Sequence, residues 1–527
     1  MKKIYFIIAF LGFSSLICGQ ESVTTIFDDD LPREHEKEFQ FYAFFISQGV
    51  SSNFYPENIF MKGQVIGRLF GDNTTKTTDS LNSRYFEQRL LPFFVYQPKL
   101  FNGKALLRAS FEIDFTWGDA SYGAGGNLGS AISSDFVNLQ TQNIELELKP
   151  AKYWRINLGL QRLFDTPYNP YRTFFDKMLQ TGYRLSFWGT DAVGISVRRD
   201  VDFSNLKFGF YQLYENSVQE DDDVILGEIM YQKTLTPLWK SGGSLYYIRD
   251  RASGEGGVSI YAQGLNSKLN GYNGTFRFNF GSSDYRADIA WLGAFISRNE
   301  DFMMDRYRFT AFANYNIGTV DINVNDNWQK GADIGGLAAN ARFAYRYGQT
   351  EKDFISIDGI YATGDKNALD DKKYSGVITG NTWGAPAGIF IGTGSYLLFP
   401  HGNVVNRFTP AIADLSNMGY GLTALTANAS KDFIPNKFNT KIGAAFANSN
   451  IKPEGGTKHM GTEFNTALTY TLGPFMSLEL HGAYLMLGDF YKSNDSKYSF
   501  DINGGGANSG KPDNPWTAFV VFKWLMF

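Results

Sequence analysis

From about residue 39 to the C-terminus, apolar and polar positions alternate along the chain, broken by polar stretches rich in Gly and Asn. In LLRASFEIDFTW, Leu107, Ala109, Phe111, Ile113, Phe115 and Trp117 share one face, while Arg108, Ser110, Glu112, Asp114 and Thr116 share the other. A repeat of two is that of a β-strand with one apolar and one polar face. The pattern recurs with Ile144, Leu146 and Leu148 against Glu145, Glu147 and Lys149, and with Val193, Ile195 and Val197 against Gly194, Ser196 and Arg198. Phe276, Phe278 and Phe280 oppose Arg277 and Asn279, Phe343 and Tyr345 oppose Arg342 and Arg346, and Phe464 and Leu468 oppose Glu463 and Asn465.

Strand-length segments of this kind lie near 58–73, 85–98, 103–118, 137–150, 153–163, 182–199, 204–217, 223–236, 240–252, 272–281, 284–299, 303–317, 336–349, 351–364, 418–433, 437–449, 459–473, 476–490 and 515–527. Weaker ones lie at 39–54 and 319–328. The last segment, WTAFVVFKWLMF, ends the chain on Phe527. An exposed apolar strand at a chain end invites edge pairing, unless it closes onto the first strand of a cylinder.

Composition changes this picture from "all-β" to "membrane". The chain has 47 Phe, 30 Tyr and 9 Trp, yet only 19% charged residues and no long apolar run beyond its N-terminus. A membrane helix needs about 18 or more consecutive apolar residues, so helical spanning is excluded. The aromatics sit on the apolar faces, often near segment ends, as interfacial girdles require. The charges opposite them are too many for a dry interior but suit a wet lumen. The expected fold is an all-β transmembrane antiparallel barrel of 18 strands, within 16 to 20, with short periplasmic turns and long extracellular loops. The net charge of −4 gives no basic footprint for nucleic acid.

Met1-Lys2-Lys3 followed by the apolar run Ile4 to Ile17 reads as a secretory signal peptide over 1–19, cleaved before Gln20. Cys18 is the only cysteine, so the mature chain then has no disulfide or thiol chemistry; Ile17 before it lacks the small side chain that lipidation needs. Residues 20–38 form a polar tail, in which Asp28-Asp29-Asp30 reads as a solvated charge run, and 39–527 form the barrel.

GSSD (281–284), IPNK (434–437) and LGPF (472–475) are expected as short periplasmic turns, and 365–417 as the longest external link. Within that link AGIFIGTGSYLLF (387–399) is apolar for a solvated loop, so it either folds inward as a constriction or packs over the rim. In the last strand Lys523 shares a face with Phe519, Val521 and Phe527, which leaves the lipid face there unassigned unless the lysine snorkels to the periplasmic rim.

Candidate chemistry is confined to the inward face. The four histidines, His35, His401, His459 and His481, are far apart in sequence. His481 shares the inward parity with Ser477 and Glu479, which reads as channel lining rather than as a catalytic group. No nucleotide, EF-hand or zinc motif occurs, so no cofactor, no metal and no catalytic site are expected. Parity places Arg108, Arg155, Arg277, Arg286, Arg308, Arg342, Arg346, Asp288, Asp358, Glu463 and Glu479 along the solute path. Cross-strand pairing accounts for most of these charges. The recurrence of Arg277, Arg286, Arg308, Arg342 and Arg346, with only Asp288 and Asp358 as acids, suggests a route for anions.

The segment GTEFNTALTYTLGPFMSLELHGAYLMLGDFY (461–491), with Gly461-Thr462-Glu463 and Gly488-Asp489-Phe490 at its ends, resembles the closing hairpin of alginate-export-type outer-membrane porins. Gly159, Gln161 and Arg162 in RINLGLQRLF are similar to a Gly-x-Gln-Arg-like step of that family. The resemblance implies an 18-stranded monomeric barrel that passes anionic sugars or other solutes through an Arg-lined constriction. It does not imply alginate itself. The expectation is an outer-membrane channel for hydrophilic, anionic solutes. A structural or partner-binding barrel with a loop-closed lumen is the alternative. Expected partners are outer-membrane lipid and lipopolysaccharide, a small hydrophilic or anionic solute and the barrel-assembly machinery, with an unidentified protein partner left open.

Overall fold

The structure is a computed structural model. It describes residues 38–56, 65–66, 69, 75–117, 138–163, 190–215, 217–253, 280, 283–300, 302, 304–378, 394–399, 407–408, 410–412, 415–495 and 511–526. The expected signal peptide (1–19) and, apart from Glu38, the polar tail (20–38) lie outside the described residues, as do the side chains of Glu112, Asp114 and Arg162.

Lys37–Phe527 is one compact unit, and its wall is a closed antiparallel barrel of 18 strands. In chain order these are β1 (Phe39–Ser52), β2 (Ser83–Tyr96), β3 (Ala105–Trp117), β4 (Asn138–Leu148), β5 (Trp154–Leu163) and β6 (Thr190–Val201). There follow β7 (Ser204–Tyr214), β8 (Val224–Thr234), β9 (Trp239–Asp250), β10 (Tyr285–Arg298), β11 (Tyr307–Val324) and β12 (Asn327–Arg346). The last six are β13 (Phe354–Ala362), β14 (Leu422–Ile434), β15 (Phe438–Asn448), β16 (His459–Gly473), β17 (Met476–Leu487) and β18 (Trp516–Met526). Each strand pairs with its sequence neighbours, and β18 closes on β1 from Ala43↔Met526 to Ser52↔Thr517. Closure leaves no unpaired edge in the wall.

Alternation decides the two faces. Along β17, Leu478, Leu480, Tyr484 and Met486 are exposed on the outside, while Glu479, His481, Ala483 and Leu485 are buried on the inside. The outer face is apolar and aromatic throughout the described wall, with Phe86, Leu107, Phe210, Tyr231, Leu292, Tyr315, Phe343, Ile357, Phe446 and Trp524 exposed. Such a surface is stable against hydrocarbon and not against water.

Short turns such as 202–203, 435–437 and 474–475 share one end of the barrel with the described ends of the chain, and longer connections share the other. Several sequence expectations are corrected by the pairing. The segment 58–73 does not stand in the wall between β1 and β2, which pair directly; of its described residues, Val65–Ile66 bridges to Arg407–Phe408. Likewise β9 pairs directly with β10, with no wall strand between them; 272–281 apart from Phe280, and Gly281 and Ser282 of GSSD (281–284), lie outside the described residues. The weak segment 39–54 is β1 itself. Residues 319–328 are the tip of the β11–β12 hairpin, whose two turn residues, Asn325 and Asp326, both have positive φ (52° and 62°). That conformation matches the right-handed twist of a hairpin, and Asn and Asp tolerate it better than most residues.

Candidate functional site

The inner face divides into two sectors of different chemistry. On β3 to β8 it is a lattice of charges. Arg108 forks between two carboxylates of β4, its Nη1 donating to Glu145 (2.6 Å) and its Nη2 to Glu147 (2.8 Å). Register then sets a row of cations, because Arg155 stands opposite Arg198 and Arg198 opposite Lys207. Like charges side by side repel, and the lattice offsets this diagonally. Arg155 lies 3.8 Å from Glu147, Arg198 donates to Asp200 (2.8 Å), and Lys207 donates to Glu228 (3.0 Å). Glu228 also accepts from the hydroxyls of Tyr211 (2.8 Å) and Tyr246 (3.3 Å). A Cβ on Gly209 would lie 2.7 Å from the Glu228 carboxylate and 2.5 Å from the Tyr211 ring, so only glycine admits this cluster. Arg108, Glu145, Glu147 and Glu228 are each at most 2% exposed. At that burial, pairing decides whether the charges are tolerated at all.

On β10 to β18 the inner face mixes apolar positions with buried polar and charged ones, and the chain itself covers much of it. Trp291, Ile334, Ala338, Ile360, Leu422, Ala445, Leu485, Phe519 and Val521 form one buried cluster with Tyr374, Val377, Ile378, Tyr396, Leu397, Leu398, Phe399, Ala411, Ile412, Leu415, Met418 and Tyr420 of the β13–β14 connection. The described part of 387–399, residues 394–399, therefore folds inward instead of over the rim; residues 387–393 lie outside the described residues.

Besides the parallel pairing of Lys373–Tyr374 with Asp333–Ile334 of β12, two anchorages that bear on the lumen tie this connection to the wall. At β10 and β11, the Trp291 indole donates to the Ile378 carbonyl (2.8 Å) and the Ile378 N–H donates to Asn316 (3.0 Å). At β16, the Glu463 carboxylate accepts from the Ser395 hydroxyl (2.7 Å) and from the backbone N–H groups of Tyr396 (2.7 Å), Leu397 (3.0 Å) and Leu398 (2.7 Å). Asn465 adds a bond to the Gly394 carbonyl (2.6 Å). Gly394 has φ +83°, and a Cβ there would lie 2.1 Å from Asn428, so the turn into this segment requires glycine.

Beyond the turn, Tyr396 meets His481 (3.1 Å to Nδ1), and His481 Nε2 meets Glu479 (2.9 Å), which also accepts from Lys523 (3.0 Å). Burial, reinforced by Glu463 and Glu479, pushes the Tyr396 phenol up, so its hydroxyl keeps its proton. The assignment that satisfies each partner has Tyr396 donating to Nδ1 and Nε2–H donating to Glu479. The His481 ring stacks on Phe519 at 4.6 Å. Phe519, Val521 and Lys523 thus all face inward, so no snorkelling lysine is needed: the apolar residues pack on the segment and the lysine pairs with Glu479.

The expected path residues that are described separate into five groups. Arg108 and Arg155 belong to the charge lattice. Arg342 faces inward on β12 and donates to Asp358 of β13 (2.7 Å), which also accepts from Asn340. Arg308 and Arg346 face inward at the short-turn end, where both lie over the Phe302 ring, at 4.9 and 5.8 Å. Glu463 and Glu479 face inward but are covered, so neither lines an open path. Arg286 and Asp288 are corrected: they share the parity of the exposed Leu292 and Ile296, on the outer face near the long-loop end. There Arg286 lies over the Trp328 ring (4.0 Å) beside Asp221, and Asp288 pairs with Arg251 (2.9 Å) and accepts from Tyr247 (2.6 Å). A charge at the rim of the outer face is solvated without any lumen, so charge alone misassigned it. Arg277 lies outside the described residues.

The sequence reading missed the roles of Trp291, Asn316 and Tyr396. One signal could have found them: apolar residues on inward positions of β17 and β18, together with an apolar loop.

No protein-family model and no curated protein matches the chain. Among solved structures it is similar to Acinetobacter baumannii OccAB1 (TM-score 0.47, 9% identity, covering 93% of this chain and 97% of that one). It is also similar to A. baumannii OccAB4 (0.45, 12%, 93% and 99%) and to Pseudomonas aeruginosa OpdQ (0.44, 10%, 93% and 97%). At these values the likeness carries no argument about what this chain does.

Proposed function

We propose that the protein is an outer-membrane channel that passes small hydrophilic solutes by diffusion, with a preference for anions. The observation that carries this reading is the pairing of an apolar, aromatic outer face with a charged inner face on one closed 18-strand barrel. The first face suits lipid and the second suits hydrated solutes. The N-terminal segment expected to act as a signal peptide supports delivery across the inner membrane. Arg308 and Arg346, held at the short-turn end over Phe302, are the residues assigned to anion preference. The Gly-Thr-Glu and Gly-Asp-Phe ends of 461–491 support an alginate-export-type kinship, with sugar acids as the solute class.

Liposome swelling tests the reading: purified protein in vesicles should admit monosaccharide acids faster than neutral sugars of equal size. Equal exclusion of both by folded, inserted protein contradicts it.

A second reading has one specific observation in its favour. Inner-face side chains such as Arg108, Glu147 and Trp291 are at most 2% exposed, as in a barrel whose lumen is filled. Under that reading the protein is a structural or partner-binding barrel of the outer membrane, and swelling is absent for every solute.

A further inference from the structure

We propose that Glu463 is a positioning residue, the catch that holds residues 394–399 across the lumen, and that losing its carboxylate frees that segment and widens the channel. The proposal rests on the channel reading above. Three consecutive N–H groups, of Tyr396, Leu397 and Leu398, converge with the Ser395 hydroxyl on one carboxylate. Successive backbone N–H groups aimed at one point make an anion-binding concavity. Here the wall supplies the anion itself, fully covered at 0% exposure.

The arrangement is one-sided in a useful way. The carbonyls of Leu397 and Leu398 accept from Ala411 and Ile412, which belong to the same β13–β14 connection. Those bonds keep the segment's shape but do not tie it to the wall. Polar ties from 394–399 to the wall include the four bonds to Glu463, the Asn465 bond to Gly394, the Tyr396–His481 contact and the Lys441 ammonium over the Tyr396 ring (5.7 Å). Asn465 itself donates to Glu463 (3.0 Å), so it too is set by that carboxylate. The apolar contacts around these ties would tolerate sliding, because dispersion and hydrophobic contact are non-directional. Without the carboxylate, three buried N–H groups lose their acceptor and are satisfied only by water, which draws the segment toward the solvated lumen.

The test reads the segment's position without relying on transport. Ala411 is 1% exposed and its N–H bonds to the Leu397 carbonyl (2.7 Å), so a thiol at that position reports whether the segment is seated. In a Cys18→Ser background, Ala411→Cys is labelled by a charged thiol reagent in folded protein, with and without Glu463→Ala. The expected result is labelling at least tenfold faster with Glu463→Ala, and an intermediate rate with Glu463→Gln, which keeps one acceptor oxygen. Ser395→Ala, which removes one donor and leaves the wall untouched, should give a smaller acceleration. It keeps the proposal testable if Glu463→Ala does not fold. Single-channel conductance should rise in the same order, while the heat-induced mobility shift of the barrel on gels stays unchanged. Equal labelling rates in all four proteins would overturn the catch, even if the channel conducts. Faster labelling in a barrel that never conducts would uphold the catch and remove the channel reading instead.

Discussion

The two sectors of the inner wall solve one problem in opposite ways. On β3 to β8 buried charges recur among the inward residues, and stability comes from matching cations with nearby carboxylates, on a neighbouring strand for Arg108 and Lys207 and on its own strand for Arg198. On β10 to β18 inward apolar residues stand among polar ones such as Asn316, Glu463 and His481, and both kinds are met by the barrel's own connection. The difference teaches that inward parity does not mean water-lined. A charged inward row demands partners across the ladder, whereas an apolar inward row demands a lid, and finding one predicts the other.

The largest effect should follow from breaking the lattice at its fork. Arg108→Leu leaves Glu145 and Glu147 buried without the guanidinium that pairs them. Removing one partner of a buried ion pair costs about 3–5 kcal/mol, read as a shifted denaturation midpoint in detergent. A change under about 1 kcal/mol would mean that water reaches these acids and that the lattice is not dry. In the covered sector Phe519→Ala should cost about 3 kcal/mol, the range for emptying a buried aromatic site, since Phe519 packs against both the His481 and the Tyr396 ring. Trp291→Phe removes the bond to Ile378 and leaves part of the buried indole's volume empty, so it should cost about 2 kcal/mol.

Smaller still is a pH effect outside both sectors. Burial raises the Asp353 carboxyl, but N–H donors from Asp432, Thr350 and Gln349 outweigh it and hold the group below its usual value. A depressed folded pKa gives stability that is present above the unfolded value of about 3.9 and is lost as pH falls through the folded one. Asp353→Asn should therefore flatten the acid limb of the stability profile and change nothing at neutral pH beyond a constant offset. Arg286→Ala, at the outer rim, should alter stability by no more than about 0.5 kcal/mol and leave ion selectivity unchanged. Arg346→Ala at the short-turn end should instead reduce anion preference. Equal effects of the two would erase the distinction between rim and path.

Strand identity, closure and the apolar outer face are legible because a period of two runs through most of each wall strand, and the wall has the expected 18 strands although alternation alone marks more segments than that. The errors arose where alternation is silent. Nothing in the pattern separates a wall strand from an apolar stretch of connection such as 58–73, since both alternate over a few residues. Nor does parity reveal height along the axis, which is why Arg286 and Asp288 were read as lumen groups. The inward segment was half visible: 387–399 is too apolar for water, yet its seat on Glu463 is made by backbone N–H groups that no side-chain pattern encodes. Lys523 shows the same limit, because the apolar residues beside it face the covered lumen and not the lipid.

The most direct test of the channel is single-channel recording of purified protein in a planar bilayer under a salt gradient. The account predicts stable open steps, a reversal potential on the anion side, and a shift toward neutrality in Arg308→Ala/Arg346→Ala. Silence from protein that is folded and inserted, with lumen-facing residues still inaccessible to charged reagents, would contradict it and leave a loop-closed barrel in its place.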